Sequence, residues 1–173
     1  EGELEDRWWI ENLDVNLCLR LRSAIEIEAG SQKSGYLQKN FNPKVLAFDI
    51  ETDELKIGEG EILMISLVGK NFKKVITWKK PKQEQKIPNI EFVKDEADLL
   101  EKFVEEVRKY SPDILTGYYS DGFDLPYLRA RAEKNRVKLS LGLDDSQPKF
   151  TRGIEPVGKI SGIIHIDLLK FIR

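Results

Sequence analysis

A chain of 173 residues, 40% apolar and 34% charged, suits one medium domain with a real core and a soluble surface. Its formal net charge of −2 excludes a polycation that grips nucleic acid by bulk charge, so any such contact must come from local basic patches. The single cysteine, Cys18, excludes an internal disulfide and a thiolate metal cluster and fits a reducing cytoplasm, and no apolar run is long enough for a membrane-spanning helix.

Residues 1–40 read as an appendage. Leu13, Val15, Leu17, Leu19, Leu21, Ile25 and Ile27 all fall on odd positions, the period of a half-buried strand or of a hairpin bent near Ser23. Residues 30–42 are polar and contain Gly35, as a linker would. Val45 to Thr52 follows as a short apolar run, which predicts a strand buried on both faces. A polar turn leads to strands predicted at Glu61 to Val68 and Lys74 to Trp78, and the short connections favour an antiparallel meander. Lys79, Lys80, Lys82 and Lys86 belong to a charged, solvated loop, with a short extended piece at Ile90 to Val93.

Asp95 with Asp98 three residues on resembles a capping box. Leu99, Leu100, Phe103, Val104 and Val107 then recur at helical spacing until Pro112 stops the helix. Ile114 and Leu115 predict a brief strand. A second helix runs from about Leu125 to Asn135, with Pro126 tolerated in its first turn. Ile160 to Ile166 reads as the last strand, with Asp167 as cap of a following helix. The order strand, strand, strand, helix, strand, helix, strand, helix predicts a mixed α/β sheet with flanking helices and the Val45 strand near its centre. The chain begins at Glu1 and stops inside the apolar run Leu168 to Ile172, so it reads as a piece of something longer.

Three acids stand out. Asp49 and Glu51 are two apart on one strand, so they share a face. Paired anions at the end of a strand repel each other and lose solvation, which a bound cation offsets; an exposed strand edge is the plainer alternative. Asp124, just before Leu125 and Pro126, reads by itself as a helix N-cap. In the predicted sheet, however, its helix starts beside the end of the Val45 strand, which brings the three acids together.

At these residues the chain resembles a known family. Asp49-Ile50-Glu51-Thr52 with Gly60 to Ser66 resembles the first exonuclease motif of archaeal-type family B DNA polymerases, and Tyr118 to Leu128 resembles the second. The segment from Pro148 and Lys149 to His165-Ile166-Asp167-Leu168 follows in matching order, so the resemblance covers roughly residues 44–173. It implies a ribonuclease-H-like fold over residues 41–173, truncated at its C-terminal end and preceded by a β-rich N-terminal remnant in 1–40. It implies a proofreading 3′–5′ exonuclease that removes nucleotides from DNA, with Asp49, Glu51 and Asp124 as catalytic metal ligands. Two divalent cations, Mg2+ or Mn2+, about 3.5–4 Å apart suit such hydrolysis. Asp49 would bridge them, Glu51 would serve the metal on the water side, and Asp124 the one on the leaving-group side.

The resemblance further implies Tyr118, Tyr119, Phe123, Lys149 and Arg152 as DNA-binding residues. The implied partners are a single-stranded 3′ end, primer–template DNA and the rest of a polymerase chain; a sliding clamp stays open. The three aromatics would stack on bases, or else pack under the helix.

Departures accompany the resemblance. The family's second motif has asparagine where this chain has Tyr119, and another where it has Gly122. The family's later tyrosine–aspartate motif is missing: none of Tyr36, Tyr110, Tyr118, Tyr119 or Tyr127 has an aspartate four residues on. Polymerase palm motifs are missing too. The expectation is therefore a nearly inactive piece of a proofreading domain. A degenerate exonuclease kept as a DNA-binding or scaffolding module is the alternative, and a stand-alone nuclease of the same fold is a third. His165, the only histidine, reads as a strand residue near the site.

Overall fold

A computed structural model describes residues 42–80, 88–151 and 157–172. All but Asn42 belong to one compact unit, Pro43–Arg173. The expectations for residues 1–40, Lys82, Lys86 and Arg152 lie outside the described residues.

Eight strands and two α-helices are present among the described residues: β1 (Val45–Thr52), β2 (Ile62–Gly69), β3 (Phe72–Thr77), β4 (Ile90–Phe92), α1 (Glu96–Tyr110), β5 (Ile114–Gly117), α2 (Asp124–Asn135), β6 (Lys149–Phe150), β7 (Gly158–Lys159) and β8 (Ile164–Asp167). A 3-10 turn, Leu168–Phe171, follows. Six strands form a mixed sheet in the order β4-β3-β2-β1-β5-β8, and β6 with β7 makes a small hairpin. The β1–β2–β3 meander is antiparallel. β4, β5 and β8 add in parallel. The predicted mixed sheet with a central Val45 strand is what the chain forms. No helix among the described residues is long and apolar enough to cross a membrane.

Strand β1 corrects one expectation. Leu46, Phe48 and Ile50 are buried, whereas Val45, Asp49 and Glu51 are exposed. Phe48 meets Phe103 of α1 at 5.9 Å between ring centroids, and α1 is tied to α2 by the buried Arg131–Glu96 pair at 2.5 Å. The helices thus cover the Phe48 face. The opposite face carries Asp49 and Glu51 with Val45, Met64, Val68 and Ile164, all exposed. The continuous apolar run therefore marks a half-buried strand.

Helix α1 forms as its sequence dictates. Asp95 caps it by accepting from the Asp98 N–H at 3.0 Å. Ser111, in the left-handed region, ends it just before Pro112. The predicted last strand splits in two: Gly162, at φ 74°, makes a turn closed by an Ile160–Ile163 bridge, so β8 starts only at Ile164.

Pairing around β1 positions the site. β5 runs beside it only from Val45 to Ala47. At Gly117 the chain turns away so tightly that a Cβ there would lie 2.8 Å from the Ser120 Cβ and 3.1 Å from the Phe48 carbonyl oxygen. The far end of β1, Phe48 to Thr52, thus has its β5-facing edge free of a strand partner in this sheet.

Candidate active site

Helix α2 fills that vacancy with its first residue. Asp124 Oδ1 accepts the Ile50 N–H at 3.2 Å, and the side chain is only 3% exposed. The local pattern of Asp124 suggested an N-cap, and the structure corrects this: Phe123 is the cap residue, it makes no side-chain cap bond, and Asp124 lies inside the helix. Burial is the largest of the influences that together leave the Asp124 carboxyl pushed up to about 6. The charges of Asp49 and Asp167 contribute to that rise, and the Ile50 and Asp124 N–H groups offset part of it. Asp49 and Glu51 stand on the open face of β1, next to Ser66 and Met64 of β2. Residues 49, 51 and 124 are thus gathered at one end of the sheet.

The turn from 118 to 123 connects β5 to this helix. Tyr119 adopts φ 57°, a left-handed conformation that suits glycine or asparagine better than tyrosine. Its carbonyl accepts from the Gly122 N–H at 3.1 Å and the Phe123 N–H at 2.9 Å. A Cβ on Gly122 would collide with the Tyr119 ring, so the two departures from the family motif fit each other sterically. Tyr118 is 58% and Tyr119 51% exposed, both available for stacking. Phe123 instead packs against Tyr127, centroids 5.3 Å apart, under the helix.

The inner side of this turn holds Ser120 and Asp121, which sequence reasoning passed over. Asp121, 3% exposed, accepts from the Gly158 N–H at 2.6 Å and pairs with Lys170. Its own N–H donates to Asp167 Oδ2 at 3.0 Å. Ser120 Oγ lies 3.0 Å from His165 Nε2. His165 Nδ1 is 3.2 Å from Asp121 Oδ1 but not aligned for a hydrogen bond. Burial holds His165 below its ordinary value, against the pull of Asp121 and Asp167. His165 is therefore the strand residue near the site that was expected, and Asp167 caps the next turn through the Leu169 N–H at 3.0 Å.

Lys149 is exposed on β6, a short strand of the small hairpin. Lys79 and Lys80 are exposed as expected, with Lys79 Nζ 3.6 Å above the Trp78 ring.

The donors at this end of the sheet are carboxylate oxygens, which by chemistry suit hard divalent cations. A buried carboxyl that accepts one long hydrogen bond beside another acid also favours a cation. Among the described residues, however, no three His, Cys, Asp or Glu side chains stand close enough to hold a metal ion by themselves. The donors fit by kind and fall short by number.

The model of the exonuclease domain of DNA polymerase family B matches residues 19–173. The chain belongs to this family. It is 43% identical over 134 residues to a DNA polymerase of Pyrococcus glycovorans, an overlap covering 75% of this chain and 17% of that protein. It is 41% identical over 136 residues to a DNA polymerase of Thermococcus litoralis, covering 75% of this chain and 8% of that one. The chain thus spans less than a fifth of either relative. The solved family B DNA polymerase of Pyrobaculum calidifontis matches 76% of this chain and 16% of its own, with TM-score 0.61 and 24% identity, a likeness of fold.

Proposed function

We propose that this exonuclease-domain segment serves the 3′–5′ proofreading of a DNA polymerase, holding the 3′ end of a single strand while its terminal phosphodiester is hydrolysed. The observation that carries the reading is the placement of Asp124, buried against the Ile50 N–H and beside Asp49. Asp49, Glu51 and Asp124 would hold two Mg2+ or Mn2+ ions, with a further acid completing the set. Such ions, when bound, supply a polarised water and a stabilised leaving oxygen. The residues themselves orient and exclude. Ile50 aims Asp124 through its N–H, and Tyr118 and Tyr119 offer ring faces to bases, worth about 1–3 kcal/mol per stacked base. Lys149 offers a phosphate contact. The rest of the polymerase and the primer–template are the partners.

A scaffolding module is the second reading, favoured by the incomplete donor grouping and by Tyr119 and Gly122. A Mn2+ titration of the chain separates the two. The proofreading reading expects saturable binding that Asp49→Asn and Asp124→Asn each abolish, with tighter binding of a single-stranded 3′ end when Mn2+ is present. DNA binding indifferent to Mn2+ and to both substitutions would establish the scaffold instead.

A further inference from the structure

Residues in turns usually face water. Ser120 and Asp121 do the reverse, at 0% and 3% exposure in the middle of the 118–123 turn. Each hooks the turn onto later parts of the chain. Ser120 meets His165 on β8. Asp121 reaches Gly158 on β7 and Lys170 on the 3-10 turn, while its N–H is held by Asp167 at the end of β8.

One further hydrogen bond carries this anchorage into helix α2: the Leu125 N–H donates to the Ser120 carbonyl at 3.0 Å. Asp124 lies directly before Leu125. The helix start has no side-chain cap bond, and the Ile50–Asp124 contact is long at 3.2 Å, so the carboxyl depends on how the turn before it is held. The neighbouring Asp49 charge opposes the placement. A carboxylate held against like charge needs a restraint from elsewhere.

We infer that Asp121 is the positioning residue that supplies this restraint: clamped by Gly158 and Lys170, it fixes the turn that sets the Asp124 carboxyl against the Ile50 N–H. The groups facing Asp121 are His165, Lys170 and, through its backbone, Asp167. Lys170 pairs with the buried charge, and burial disfavours the charged form of His165. The geometric part stands on the contacts alone. Its consequence for metal binding rests on the proposed function.

The test is amide hydrogen exchange of the chain by NMR, comparing the unaltered protein with Asp121→Ala and Lys170→Met, together with Mn2+ titration of each. Exchange of the Ile50 amide is expected to speed up about tenfold or more in both variants, while the ladder amides of β2 and β3 keep their rates. Mn2+ affinity is expected to fall about tenfold or more, as loss of outer partners of metal ligands does. Lys170→Met leaves the turn's own side chains in place and carries the comparison if Asp121→Ala does not fold. Ile50 exchange that stays unchanged, or rises by the same factor as the β2 and β3 amides, would overturn the inference. Selective Ile50 acceleration in a chain that never binds Mn2+ would uphold the positioning role and refute the metal reading.

Discussion

Both α-helices among the described residues begin with a buried acid, and the two acids live in opposite surroundings. Glu96, 5% exposed, opens α1. It accepts from the Ile62 N–H at 2.8 Å, from Arg131 at 2.8 and 2.5 Å and from Asn135 at 2.7 Å. Burial alone would raise its carboxyl, but Arg131, Ile62 and Asn135 together hold it below the usual range. Asp124 opens α2 at the same depth, faces Asp49 and Asp167 rather than a cation, and is pushed up to about 6. A satisfied buried charge belongs to the framework. One that faces like charges at the edge of an open sheet face is where the proposed function would have a cation complete the site.

The contrast breaks most visibly at Glu96. Glu96→Ala leaves Arg131, 4% exposed, without its partner, and should cost about 3–5 kcal/mol in urea unfolding. The opposite sign is expected at Asp124. Its folded carboxyl holds a proton more tightly than the ordinary 3.8, so the stability it contributes is complete below about pH 4 and is lost as pH rises through about 6. Asp124→Asn should therefore stabilise the chain by about 1–2 kcal/mol at pH 7, with the gain vanishing below about pH 4. Thermal unfolding at the two pH values checks it.

Smaller effects sharpen the same comparison. Gly122→Ala forces the Tyr119 ring to swing away, a movement of a half-exposed side chain. It should cost less than about 1 kcal/mol of stability yet reduce stacking on a 2-aminopurine placed at a 3′ end, read by its fluorescence. Arg129→Ala removes a solvent-exposed pair with Glu133 at 3.0 Å and should change stability by only about 0.3–0.5 kcal/mol.

Periodic and local signals were legible in the sequence. The helical spacing from Leu99 to Val107, the Asp95 cap and the order of strands all follow from nearest-neighbour chemistry, and the structure keeps them. The convergence of Asp124 with Asp49 was reached through the expected strand order. What surrounds Asp124 was not legible. The Asp121 contacts to Gly158 and Lys170 join residues 37 and 49 positions apart, a separation that no periodicity records. The open face of β1 was misread for a related reason. Val45 and Ala47 are as apolar as Leu46 and Phe48, and composition alone does not say which face the helices cover. Tyr119 and Gly122 looked like two independent departures until their contact showed them to be one steric adjustment.

The most direct test is the titration of the Asp124 carboxyl by carbon NMR, with and without Mg2+. The account predicts a midpoint near 6 in the metal-free chain and a fall well below it when Mg2+ saturates the site. A midpoint in the ordinary aspartate range, or one near 6 that Mg2+ leaves unmoved, would contradict it.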